Sequence, residues 1–162
     1  MSWYYPLERL HAIFTFPLIF FYFSFNYPLK DILLLEYGLL VCIFILFQGQ
    51  HYWKLKLYSL KAISFDKNRN VQLFKKSRTI NAVLIIFMPI VLLLQLSMKA
   101  WTVGSPQLMI GALMVNVFAI LEHVNYYHTQ LMVDNRADFD YVVKNKRLKT
   151  ASLKKDLLEN NI

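Results

Sequence analysis

Apolar and polar positions alternate in long blocks rather than along one face. Four mostly apolar stretches occupy about residues 10–27, 32–48, 80–97 and 107–127. Each approaches the roughly 20 apolar residues a helix needs to cross a bilayer. Short connections, 26–31 and 98–106, separate the first two stretches and the last two. The pattern predicts an all-α polytopic membrane protein with four transmembrane helices arranged as two antiparallel hairpins. Residues 1–130 form the transmembrane domain, and residues 131–162 a cytosolic helical tail. Arg9 is offset by Glu8 and no small-x-small site follows, so the first block reads as a retained helix rather than a cleaved signal.

Local punctuation refines these elements. Ser105-Pro106 has the form of an N-cap followed by a first-turn proline. Pro17 and Pro89 fall inside spans and predict kinks. Residues 50–65 either prolong the second helix or lie on the membrane, and Asp66 to Asn70 reads as the turn before a third helix starting near Val71. The tail reads as two short helices, the second capped by Thr150 or Ser152. No GxxxG pair occurs, so the packing is expected to rest on Phe and Leu rather than on close glycine crossings. Trp3, Tyr52, Trp53, Trp101, Tyr126 and Tyr127 sit at block ends and read as interface anchors.

Charge sets the orientation. Between Gln50 and Arg78 stand eight cations, Lys54, Lys56, Lys61, Lys67, Arg69, Lys75, Lys76 and Arg78, against one acid, Asp66. The two short connections carry only Lys30 and Lys99. Cations concentrate on the cytoplasmic side, so the middle loop and both termini are expected there. The net charge of +8 is then mainly a topology signal and a contact surface for anionic lipid headgroups or a protein partner. Nucleic acid is disfavoured, since no reading element accompanies the basic patch. The 57% hydrophobic content excludes a disordered chain. One cysteine excludes a disulfide framework, and Cys42 reads as a small mid-span hydrophobe.

Ionisable groups within spans are costly, so each is a functional candidate. Glu36 lies one turn inside the second span. On the fourth helix Asn116, His123, Tyr127 and Gln130 share a stripe at 100° per residue, flanked by Glu122 and Tyr126. This polar face is expected to point into the bundle, with Asn125 and His128 pointing elsewhere. His11, His51, Glu122 and His123 are the candidate ligands of a metal or haem, although no HxxxH or HExxH spacing supports them. Asp134, Asp138 and Asp140 read as solvated acids of the tail. No nucleophile elbow, phosphate loop or dinucleotide fingerprint occurs. The sequence therefore favours a non-enzymatic sensor, anchor or accessory subunit, oligomeric or bound to a membrane or cytosolic partner. A small ion or proton transporter using Glu122 and His123 is the first alternative. A metal- or haem-dependent membrane enzyme is the second. No cofactor is specified.

Overall fold

The computed structural model describes residues 4–102, 104–133, 136–160 and 162, so Trp3 and Asp134 lie outside the described residues. In chain order the helices are α1 (Tyr4–Leu10), a π-helical turn (His11–Thr15), α2 (Phe16–Asn26), α3 (Leu29–Leu60), α4 (Lys67–Met98), α5 (Pro106–Tyr127), α6 (Arg136–Asn145) and α7 (Ser152–Glu159). Three of them, α3, α4 and α5, are long and apolar enough to cross a membrane, which marks the chain as a membrane protein. The apolar segment His11–Asn26 is shorter than these.

α3 is the axis of the molecule. In its most apolar window 67% of the residues are buried, against 22% in both α4 and α5. α4 and α5 lie against α3, and the contact between them is slight. The last two long helices therefore do not form the closely packed hairpin expected from their short connection. Partners along α3 rise in step with α5 (Leu34 with Asn116, Gln48 with Tyr127), so these two run parallel. Partners fall along α4 (Leu34 with Gln95, His51 with Asn70), so that pair runs antiparallel. The ends of α3 and α5 at Leu60 and Tyr127, together with the start of α4, make the loop end of the bundle.

The 32 residues of α3 span about 48 Å at 1.5 Å per residue, well beyond a hydrocarbon core of about 30 Å. Residues 50–60 thus continue the second helix instead of lying flat. The turn falls at 61–65, not at 66–70. Asp66 is the N-cap of α4, its carboxylate accepting the Arg69 backbone N–H at 2.9 Å, and this cap draws the helix start forward to Lys67. Ser105 caps α5 as expected, with Pro106 in its first turn.

Both long antiparallel helices end in the same motif. After α3, the Ala62 N–H donates to Ser59 O and the Ile63 N–H to Tyr58 O. After α4, Ala100 donates to Ser97 O and Trp101 to Leu96 O. These are Schellman ends with alanine at the left-handed position, φ 53° at Ala62 and 48° at Ala100. Glycine is the residue that takes this conformation without strain. Ala62→Gly and Ala100→Gly are each expected to stabilise the protein by about 0.5–1 kcal/mol, read as a raised midpoint of unfolding.

The two prolines act differently. Before Pro17, which has no N–H to donate, the helix widens into the π-turn, with the Phe16 N–H reaching His11 O. In α4, Pro89 leaves the Ile85 carbonyl without its helical donor. One residue earlier, the Tyr37 hydroxyl of α3 donates to Leu84 O at 2.8 Å, so a neighbouring helix supplies hydrogen bonding at the opened turn.

The tail folds back. Leu153, Leu157 and Ile162 share a buried cluster with Tyr52, Leu55, Val71 and Phe74 at the loop ends of α3 and α4. Asp156 pairs with Lys56 at 2.6 Å and accepts the Tyr52 hydroxyl at 2.7 Å. The α7 N-cap is Ala151, with no side-chain bond, in place of Thr150 or Ser152. A short strand-like pairing holds this entry instead, with Gln130 N–H donating to Lys149 O. Asp138 is buried rather than solvated, held by Lys149 and by the Gln130 amide.

Candidate functional site at the loop end of α5

Polar side chains bind α3 to its neighbours at two levels. Near its start, Gln95 of α4 accepts the Leu34 N–H at 2.6 Å and donates to Asp31 O at 3.0 Å. From the other side, the Asn116 amide of α5 donates to Leu34 O at 3.0 Å. Gly38 makes room for it, since a Cβ there would stand 2.5 Å from Asn116 Nδ2. Ala112 and Ala119 are buried on the same side of α5, and the Cys42 thiol points at Val115 O. Small residues thus enter the α3–α5 contact beside the leucines expected there, Leu34, Leu35 and Leu39.

Toward the loop end, Gln48 and Asn81 exchange two amide hydrogen bonds of 2.9 Å. The Tyr127 hydroxyl donates to Gln48 Oε1 at 2.6 Å, which joins α3, α4 and α5 at one point. His123 stacks on Tyr127 with ring centroids 5.2 Å apart, and lies 5.4 Å from the ring of His128. Tyr52, Tyr126 and Tyr127 are buried, so these three are core residues rather than headgroup anchors. Internal partners for the hydroxyls of Tyr52 and Tyr127 make that burial tolerable.

The polar face expected on α5 divides in two. Asn116, His123, Tyr126 and Tyr127 turn inward. Gln130 lies beyond the helix end and serves the tail through Asp138. Glu122 looks the other way and is joined there by Asn125, which also accepts the Leu131 N–H at 2.9 Å. Glu122, Asn125 and His11 line a cavity of about 440 Å³ between the N-terminal helix and α5, walled by Phe16, Leu46 and Phe118. At the far end of the bundle Glu36 is buried and accepts the Ser24 hydroxyl at 3.0 Å.

The candidate metal ligands are dispersed. His11 shares the Glu122 cavity, its Nδ1 lying 3.2 Å from Thr15 Oγ1. His51 is held by Asn70 at 2.7 Å, and His123 stacks on Tyr127. Among the described residues no group of three or more His, Cys, Asp or Glu side chains is placed to hold a metal ion, so these four do not form one ligand set.

The eight middle-loop cations gather at the loop end. Lys56 is paired with Asp156, and Lys75 donates to Asn160 Oδ1 at 2.9 Å. Lys54, Lys61, Lys67, Arg69, Lys76 and Arg78 are exposed. His128 stands against this field. Its partial burial, then the charges of Arg78 and Lys154, hold the imidazole below its ordinary range. Arg78→Gln is expected to raise the His128 pKa, read from its ring resonances by NMR; a fall would contradict the placement of Arg78.

Gln95 escaped sequence reasoning, although a lone amide inside the run Leu92 to Met98 is a usable signal. Lys154 and Asn160 were out of reach, because nothing local says that α7 docks.

No family model, no curated protein and no solved structure matches this chain. Fold and site together define a class, a helical membrane protein whose central helix is held by buried amides and whose loop end is cationic.

Proposed function

We propose that the chain is a four-span membrane component, with the N-terminal helical segment through Asn26 as the first span. In this reading the loop end faces the cytosol, and both termini lie there. Its work is non-enzymatic: the exposed cations of the loop end dock an acidic protein surface or anionic headgroups, and the protein acts as a sensor, anchor or accessory subunit, in oligomeric form or with a partner.

The observation that carries this reading is the convergence of Lys54, Lys61, Arg69, Lys76 and Arg78, all exposed, at the end where α7 is folded onto α3 and α4. Cations near an anionic leaflet contribute about 1 kcal/mol each. A tail packed beside them gives that surface a defined shape. Purification in mild detergent, comparing the wild type with a Lys61, Arg69, Lys76→Glu variant, tests it. The wild type should carry a stoichiometric partner, or a second copy of itself, that the variant loses. A wild type that runs as a lone monomer overturns it.

The cavity between α5 and the N-terminal helix favours a second reading, a small ion or proton path using Glu122. Glu122→Gln should then abolish flux in liposomes while leaving the fold intact. Unchanged flux removes that reading.

A further inference from the structure

Another cavity of about 440 Å³ opens at the loop end, where α7 meets α4 and α5. α4 contributes Lys75, Arg78 and Thr79; α7 contributes Lys154 and Leu157; Tyr127 closes it from α5. The side chains come from three elements, so the cavity exists only because the tail is docked. Among the described residues no carboxylate lines it, and none of its three cations is in an ion pair. Three uncompensated positive charges brought together by folding repel one another. An anion placed among them removes that repulsion and gains charge-assisted hydrogen bonds.

We propose that this cavity binds a phosphate group, held by Lys75, Arg78 and Lys154. Arginine presents a planar fork that matches two phosphate oxygens, whereas lysine supplies a mobile point charge. Thr79 lines the α4 side, its hydroxyl donating to Lys75 O at 3.4 Å. The space exceeds that of a bare phosphate, and Leu157 with the Tyr127 ring offers an apolar wall for a carbon substituent. Such a ligand bridges α4 to α7 and fastens the tail in its docked position. The group can belong to a free phosphate or to an anionic phospholipid headgroup.

Binding at this cavity does not depend on which side of the membrane it faces, so its failure leaves the docking reading standing. The test is calorimetric titration of the full-length protein at constant ionic strength, in two arms. In detergent, the probe is inorganic phosphate. In nanodiscs, phosphatidic acid in phosphatidylcholine is compared with phosphatidylcholine alone. Saturable binding is expected in at least one arm, weakened about tenfold by Arg78→Gln and by Lys154→Gln. It should be retained in Arg147→Gln, an exposed cation of the tail that does not line the cavity. Saturation by inorganic phosphate identifies a free ligand, and saturation only with phosphatidic acid identifies a headgroup. Binding that merely follows ionic strength, that is equal in all variants, or that is absent from both arms overturns the proposal.

Discussion

Gly38→Val is expected to destabilise the protein by about 3 kcal/mol, measured by reversible unfolding in mixed micelles. Gly38 of α3 faces Asn116 and Val115 of α5. A Cβ there would lie 2.5 Å from Asn116 Nδ2, 2.9 Å from its Cγ and 3.1 Å from Val115 Cγ1. Asn116 cannot swing aside without cost, because the same nitrogen donates to Leu34 O at 3.0 Å and Ala112 O at 2.8 Å. Overpacking typically costs about 1–3 kcal/mol, and a buried donor stripped of its partners a similar amount. Helix propensity pulls the other way: in an isolated helix Gly→Ala gains about 1 kcal/mol. The sign of Gly38→Ala therefore separates the two effects. We expect a net loss, partly recovered when Asn116→Ala is added, since the shorter side chain vacates the overlap. A stabilised Gly38→Ala would show that the two helices are further apart than described.

Asn81→Ala is the second severe substitution, at about 2 kcal/mol. Asn81 has no exposed surface and exchanges both amide bonds with Gln48. Its loss leaves Gln48 with the Phe44 carbonyl and the Tyr127 hydroxyl alone, and opens a void between α3 and α4. Interhelical hydrogen bonds in membranes average only about 0.6 kcal/mol, because the unfolded chain also finds partners. A reciprocal pair should exceed that average. The double-mutant cycle with Gln48→Ala is expected to return a coupling of about 1 kcal/mol. Additive single effects would mean that the two amides do not meet. Tyr127→Phe removes one donor from the same junction and should cost about half as much as Asn81→Ala.

Much of the fold is legible in the chain because bilayer-length apolar runs are a coarse, strong signal. The three long helices and both tail helices exist where the apolar and polar runs put them, and Ser105-Pro106 marks the start of α5, but the turn before α4 and the cap of α7 fall elsewhere than the turn residues suggest. Arrangement is harder to read. Period and length say that a helix exists, but not which neighbour its polar groups meet. The centrality of α3 depends on Gln95, Asn116, Asn81 and Tyr127 all converging on it from other helices. The candidate site shows the same division. His123 and Asn116 turn inward as their stripe requires. Glu122 leaves the stripe because Asn125 and the N-terminal helix lie on its own flank. Gln130 drops out because the helix stops at Tyr127, a boundary that a wheel drawn at 100° per residue does not contain.

The most direct check on four spans with the basic end in the cytosol is thiol labelling in intact cells. Cys42 is the only cysteine and is fully buried, so Cys42→Ala gives a silent background. Single cysteines are then placed at Arg9, Lys61, Ala100 and Leu148, all exposed positions. A membrane-impermeant maleimide should label the Ala100 site from outside, and the other three only after permeabilisation. Labelling of the Arg9 site together with the Ala100 site would mean that the N-terminal segment does not cross. Labelling of the Lys61 site in intact cells would place the basic face outside and contradict the orientation altogether.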